Sequence, residues 1–173
     1  MILGLSISTF TTIHVVISLI GIATGLVALA GMLTAKRTEW WTGLFLITTV
    51  LTSVTGFMFP LVVIGPPHIF GFISLPLLAA AIAGLYVYRL SGRWRLVYIL
   101  SALVALYLNV VVAIVQAFQK LAFLQPLAPT QSEPPFLAAQ LLVLAAFIVL
   151  GYLAVRRFHP MTRVASRPVT AAG

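Results

Sequence analysis

The amino-acid sequence lacks cysteine and aspartate, and its acidic residues are limited to Glu39 and Glu133. Without cysteine, the chain can form no disulfide, no thiolate metal site and no thiol nucleophile. Without aspartate it has no Ser/His/Asp triad. It also has no H-E-x-x-H motif, no glycine-rich phosphate loop and no pair of carboxylates within an apolar segment. The sequence therefore offers little from which an enzyme active site could be built.

Charged residues are scarce, at 7% of the chain, whereas hydrophobic residues make up 62%. Soluble domains carry roughly 25% charged residues, so no soluble fold could cover this much apolar surface. The composition predicts an integral membrane protein whose first partner is the lipid bilayer. The net charge of +8 does not indicate nucleic-acid binding, because the basic residues lie between the apolar runs and form no patch on a soluble face.

Five apolar segments are long enough to cross a bilayer, whose hydrocarbon core requires about 20 residues of helix. They predict an all-α bundle of transmembrane helices, forming one domain over residues 1–155, with a flexible basic tail over residues 156–173. The segments are 10–33, 42–64, 69–88, 96–118 and 136–155. No strand alternation typical of a membrane barrel is present, since the apolar runs are continuous.

The basic residues predict the orientation of these segments. With five spans, nine Lys and Arg residues fall on one side of the membrane and only Lys120 falls on the other. Cytoplasmic loops are enriched in such residues, so we expect the N-terminus outside and the C-terminal tail in the cytoplasm. We expect the membrane to be the bacterial inner membrane. The nine residues are Lys36, Arg37, Arg89, Arg93, Arg95, Arg156, Arg157, Arg163 and Arg167.

One face of the first segment consists largely of small or polar residues. His14, Ser18, Gly21, Gly25 and Ala28 recur at steps of three and four, which places them on one side of a helix. The Gly21–Gly25 spacing lets another helix approach closely. Similar small-residue positions in the other segments complete the predicted helix-packing set, which is Gly21, Gly25, Ala28, Ser53, Ala105 and Gly151.

Most of the strongly polar residues inside the spans fall in the predicted outer half of the membrane. Polar groups within a membrane are functional candidates, because burying them in lipid is costly. We therefore predict a ligand pocket that opens outward, has its floor near Asn109 and is covered by the connection over residues 119–135 as a lid. Its candidate residues are His14, Ser18, Thr52, Gly56, His68, Asn109, Gln116 and Gln140.

Three functions remain open from these residues. The first is a structural, assembly or accessory role through helix contacts, in a homo-oligomer or a larger membrane complex. The second is a haem or metal protein in which His14 and His68 supply neutral imidazole ligands. The third is a transporter or binder of a small lipophilic molecule such as a quinone. Coupled transport usually uses intramembrane carboxylates, which none of the five spans contains.

The sequence also resembles a general type of membrane protein. Thr11-Thr12-Ile13-His14, the glycine-rich first segment, the threonine-rich residues 48–56 and Pro67-His68 form its pattern. This pattern resembles small, uncharacterised bacterial inner-membrane proteins with several spans. The resemblance covers most of the chain, and it implies a multi-pass membrane bundle without any particular activity.

Overall fold

The computed structural model describes residue 2, residues 4–59 and residues 66–159, except for the side chains of residues 66–68. This part of the chain is all-helical, with no strand among the described residues. Five α-helices follow one another, and two short helical turns lie between them. The α-helices are α1 (Ile7–Leu33), α2 (Glu39–Phe57), α3 (Pro66–Ile82), α4 (Trp94–Lys120) and α5 (Pro134–Arg157).

The predicted fold class is confirmed to the extent that five helices are long and apolar enough to span a membrane. The spanning stretches contain 19 to 27 residues, and a rise of 1.5 Å per residue makes even the shortest of them close to the ~30 Å hydrocarbon core. Their outward surfaces are apolar, as Leu141, Leu142 and Ile148 on α5 illustrate with more than 60% exposure each. These are the properties of a multi-pass membrane protein.

Helix α1 begins at Ile7, a little earlier than predicted, because Ser6 caps it. The Ser6 hydroxyl accepts a hydrogen bond from the backbone N–H of Thr9 at 3.1 Å. An N-cap hydroxyl satisfies one of the N–H groups that a helix start leaves without a partner. Helix α5 also begins early, with Pro134 and Pro135 in its first turn, where a missing N–H costs nothing.

Helix α2 ends at Phe57, so the predicted segment over residues 42–64 is not helical at residues 58 and 59. Met58 donates its N–H to the Thr55 carbonyl at 3.1 Å, which closes the last turn. A proline at position 60 explains the early end, because proline lacks an N–H and disfavours helical geometry in the residue before it. Residues 60–65 lie outside the described chain.

The end of the third span widens into a π-helical turn over Ala83–Val87. Tyr88 donates its N–H to the Ala83 carbonyl at 2.9 Å, five residues back. Arg89 and Leu90 then adopt the left-handed conformation, with φ of 47° and 61°, which reverses the chain toward α4. Such π-turns interrupt helices locally, and the apolar pattern of the sequence gave no sign of this one.

Helices α1 to α4 surround a common core, and α5 packs outside on α4 and α1. Helix α2 makes its most extensive contact with α1, α3 lies against α2 and α4, and α1 closes the arrangement against α4. The most deeply buried large side chains are Phe45, Leu46, Leu78, Ile99 and Leu106. Near the start of α4, the Arg95 guanidinium donates hydrogen bonds to the backbone carbonyls of Val155 and Phe158, which fixes the end of α5 to α4.

All six residues of the predicted helix-packing set are buried. Gly25 is the tightest position on α1, since a Cβ there would lie 2.6 Å from a Leu106 methyl and 2.8 Å from the Phe45 ring. On α5, a Cβ at Gly151 would lie 2.5 Å from a Leu103 methyl. Glycine at these positions lets neighbouring helices approach more closely than alanine would.

Candidate ligand-binding site

A cavity of about 390 Å³ lies between α1, α2, α3 and α4. It occupies the end of the bundle where α1 and α3 begin and α2 and α4 end. Most of its surface is apolar and comes from side chains such as Leu19, Ile22, Leu108 and Val112. The cavity opens to the surface of the bundle, since Val15 and Leu19 in its lining are exposed.

The structure brings six of the eight predicted pocket residues together around this cavity. They are His14, Ser18, Thr52, Gly56, Asn109 and Gln116. Gln140 lies on α5, and no residue of α5 lines the cavity. Gln140 therefore does not line this cavity, because α5 packs outside the group of helices that enclose it. The side chain of His68 falls outside the described residues.

His14 is held in place by α2. Its Nδ1 lies 2.7 Å from the Thr55 hydroxyl oxygen, and its ring packs edge-on against Phe59 with centroids 5.3 Å apart. The Thr55 hydroxyl also donates to the Leu51 carbonyl at 2.6 Å. Within the described part of the chain, the other ring nitrogen of His14, Nε2, has no hydrogen-bond partner.

Asn109 marks the deep end of the cavity. Its side-chain N–H donates to the hydroxyl of Thr49 at 3.3 Å, which joins α4 to α2. Gly21 faces this pair from α1, where a Cβ would lie 3.3 Å from the Thr49 oxygen and 3.8 Å from the Asn109 nitrogen. The small residue thus leaves room for a polar contact among three helices, as interhelical amides in membranes require.

Several hydroxyl groups at the cavity donate their hydrogen bond to a backbone carbonyl of their own helix. Ser18 donates to the His14 carbonyl at 2.8 Å, and Ser53 donates to the Thr49 carbonyl at 2.9 Å. Thr52 differs, because its hydroxyl oxygen is buried and has no partner among the described residues. Leaving a buried polar group unpaired costs about 1–3 kcal/mol. Such a group in a native structure calls for an explanation, and a bound molecule is one.

The sequence prediction missed several residues at the cavity, of which Lys120 is the most informative. It lies at the end of α4 and forms no ion pair within the described residues. The spacing of Asn109, Gln116 and Lys120 follows the helical repeat, so extending the polar face of this segment by one turn would have found it. Phe59, Phe70 and Ser74 were missed because α2 and α3 meet there through tertiary packing.

The connection between α4 and α5 packs beside the cavity rather than across it. Among the residues that line the cavity, only Lys120 comes from the 119–135 segment. Ala128 is buried in a small cluster with Phe118 and Phe136, and Gln131 donates to the Val115 carbonyl at 3.1 Å. We expected this connection to cover the pocket as a lid, whereas in the structure it contributes only Lys120 to the described lining.

Glu133 organises the last turn of this connection. One carboxylate oxygen accepts hydrogen bonds from the backbone N–H and the hydroxyl of Thr130, and the other accepts from the N–H of Ser132. Desolvation acts to raise the pKa of Glu133, but these hydrogen bonds outweigh it and hold the pKa below its ordinary value. The carboxylate thereby fixes the entry into α5.

The described side chains include no cluster that could hold a metal ion on its own. No group of three or more His, Cys, Asp or Glu side chains that could hold a metal ion occurs among them. His14 has one ring nitrogen free to act as a ligand. The predicted pair of His14 and His68 includes a side chain outside the described residues, so haem or metal binding stays a prediction.

Comparisons with protein families, with curated proteins and with solved structures give no match.

Proposed function

We propose that the protein binds a small lipophilic molecule with a polar group, such as a quinone or a related ring compound, in the cavity between α1 and α4. The observation that carries this proposal is a 390 Å³ space with an apolar lining, at which the buried Thr52 hydroxyl has no partner among the described residues. Small-molecule sites typically occupy about 300–1,000 Å³ and combine apolar walls with a small number of placed polar groups.

An accessory role that depends only on helix contacts would leave two features unexplained. A bundle that serves packing alone gains stability by filling its interior, since each empty methyl-sized space costs ~1 kcal/mol. It also gains nothing from the unpaired hydroxyl of Thr52. Both features have a use in a ligand site, and for this reason we place ligand binding ahead of a structural role.

We further propose that the cavity opens toward the outer side of a bacterial inner membrane. The distribution of basic residues supports this orientation, because Lys120 is alone at the cavity end while Lys36, Arg37 and Arg95 lie near the opposite helix ends. Binding rather than coupled transport is the activity proposed, since neither glutamate of the sequence lies among the cavity-lining residues.

The test is the binding of 4-hexylphenol, a simple lipophilic ring compound, to the protein in lipid nanodiscs, with empty nanodiscs as the baseline. Gly56→Leu places a side chain in the cavity, where among the described residues a Cβ at Gly56 meets only His14, at 3.8 Å. Gly43→Leu is the matched control on α2, because Gly43 lies outside the cavity and its Cβ would meet only Tyr86 at 3.5 Å.

We expect saturable binding by the wild type and by Gly43→Leu, and at least tenfold weaker binding by Gly56→Leu. Equal binding by all three proteins, or no saturable binding by any of them, would overturn the proposal.

A further inference from the structure

The hydrogen bonds around His14 determine which of its nitrogens carries the proton. A hydroxyl group has one hydrogen, and Thr55 directs it to the Leu51 carbonyl at 2.6 Å. Toward His14, the Thr55 oxygen can therefore only accept. Because Nδ1 lies 2.7 Å from that oxygen, Nδ1 must be the donor. A neutral imidazole carries one N–H, so its Nε2 has no hydrogen and can only accept a hydrogen bond.

The hydroxyls next to His14 on α1 are acceptors for the same reason. Thr11 donates to the Ile7 carbonyl at 2.8 Å, and Ser18 donates to the His14 carbonyl at 2.8 Å. Each has used its only hydrogen within the helix and presents lone pairs to any other group. The three polar side chains that α1 contributes to the cavity can thus accept hydrogen bonds but cannot donate them.

The α4 side of the cavity, opposite α1, carries hydrogen-bond donors. Helix α4 contributes Asn109, Gln116 and Lys120, and all three side chains carry N–H donors. Lys120 donates only, and Asn109 already donates to Thr49. The cavity therefore has an α1 side that accepts and an α4 side that can donate, with an apolar space between them.

From this arrangement we infer that the cavity selects ligands that carry a hydroxyl or N–H donor, and that Nε2 of His14 receives this hydrogen bond. The ligand class is a phenol or a hydroquinone with an apolar body, which are the hydroxyl-bearing members of the ring compounds proposed above. An ether or a fully oxidised quinone would leave Nε2 of His14 without a partner. This inference rests on the proposed function and adds the chemical group that the site recognises. A site that hydrogen-bonds a hydroxyl rejects analogues without it, because its own polar groups are then left unpaired.

The first test compares two probes that differ in one hydrogen-bond donor, namely 4-hexylphenol and its methyl ether, 4-hexylanisole. Their apolar bodies are the same, so a difference in affinity reports the hydroxyl group. We expect the wild type in nanodiscs to bind the phenol roughly five- to tenfold more tightly than the ether, the effect of about one hydrogen bond.

The variants assign this preference to His14. Thr55→Val removes the acceptor that fixes Nδ1–H, so the imidazole can donate to the ether oxygen through Nε2 and the preference falls below about threefold. Thr48→Val is the control, because the Thr48 hydroxyl bonds only to carbonyls of its own helix and does not line the cavity. We expect Thr48→Val to keep the wild-type preference.

A second measurement is independent of ligand affinity. Histidine labelled with ¹⁵N gives separate NMR signals for protonated and bare ring nitrogens, and the chain has only three histidines. Loss of one set of signals in His14→Phe identifies those of His14. We expect the Nδ1 signal at the ¹⁵N chemical shift of a protonated ring nitrogen and the Nε2 signal at that of an unprotonated one. We also expect the phenol to shift the Nε2 signal.

The outcomes separate this inference from the proposed function. Equal affinity for both probes, lost for both in Gly56→Leu, would leave ligand binding in place and overturn the donor preference. A proton on Nε2 of His14 would also overturn the inference. If neither probe binds the wild type, the proposed function fails and the inference fails with it.

Discussion

Hydroxyl side chains inside the bundle mostly donate to the backbone carbonyl one turn back in their own helix. Thr24, Thr48 and Ser53 do so at 2.7 to 2.9 Å. This arrangement satisfies the hydroxyl without a partner helix, which explains how segments rich in threonine can lie within a membrane. Thr52 is an exception, because its hydroxyl has no partner among the described residues. Thr52 lines the cavity.

Replacing Thr52 by valine tests whether its hydroxyl is kept for a ligand. Valine has nearly the same shape, so the variant loses only an unpaired polar group, whose removal is neutral or stabilising. We expect Thr52→Val to raise the free energy of unfolding by up to about 1 kcal/mol in ligand-free protein, as measured by thermal melting in detergent.

Thr48→Val provides the comparison, because it removes a hydroxyl that is satisfied by the backbone. If Thr52→Val were instead clearly destabilising relative to Thr48→Val, the Thr52 hydroxyl would have a structural partner and would not be available to a ligand.

The titration of Glu133 provides a pH-dependent test at the entry into α5. Its pKa is held below the ordinary value, so the charged form strengthens the turn above that ordinary pKa of about 4.3. The contribution is lost as the pH falls through the lower pKa of the folded state. We expect the amide proton of Thr130, which donates to this carboxylate, to titrate with a midpoint below about 4.3 in NMR spectra.

In Glu133→Gln this titration of the Thr130 amide should disappear. A midpoint at or above the ordinary glutamate value in the wild type would show that the hydrogen bonds from Thr130 and Ser132 do not hold the carboxylate as the structure indicates.

At the scale of the helices, glycine has two different uses on neighbouring elements. Gly25 of α1 sits against Phe45 and Leu106, both of which are almost completely buried and cannot move aside. Gly56 of α2 sits beside open space and meets only the His14 ring. The first glycine allows close packing between helices, whereas the second leaves volume for the cavity.

The same substitution should therefore have different effects at these two glycines. We expect Gly25→Ala to be about 1–3 kcal/mol less stable than Gly56→Ala, because its added methyl group overpacks a filled core. Unfolding of both variants in detergent, followed by circular dichroism, measures the difference. Equal stability of the two variants would mean that the contact at Gly25 is looser than the structure indicates.

At the scale of the whole molecule, the sequence predicted the number and class of the helices because long apolar runs have few alternatives. It placed helix ends less well, since the end of α2 depends on a proline and the start of α1 depends on a cap at Ser6. The π-turn at Ala83–Val87 had no sequence pattern that could have revealed it.

The positions of the site residues along their helices could be predicted from the sequence, but the set of helices that enclose the site could not. Polar residues such as His14, Asn109 and Gln116 could be assigned to the same half of the membrane from their positions along the apolar segments. Which helices surround a common space depends on tertiary packing, which a single sequence does not specify. Gln140 has a suitable depth but lies on α5, the one helix that contributes nothing to the cavity lining.

The orientation proposed for the molecule can be tested with reporters fused to its two ends. An odd number of spans places the ends on opposite sides, and the basic residues favour a cytoplasmic tail. We expect a phosphatase reporter to be active at the N-terminus only and a fluorescent reporter to be active after Gly173. The reverse result would contradict an outward-facing cavity without affecting ligand binding itself.

The central claim is that the cavity between α1 and α4 binds a small lipophilic molecule. The most direct measurement is photolabelling in nanodiscs with an alkylphenol that carries a diazirine, followed by mapping of the labelled residues. Our account predicts saturable labelling of cavity residues such as Ile22, Val112 and Ala113, and its loss in Gly56→Leu. Labelling confined to lipid-facing residues of α5 such as Leu141 and Ile148, and unchanged in Gly56→Leu, would contradict it.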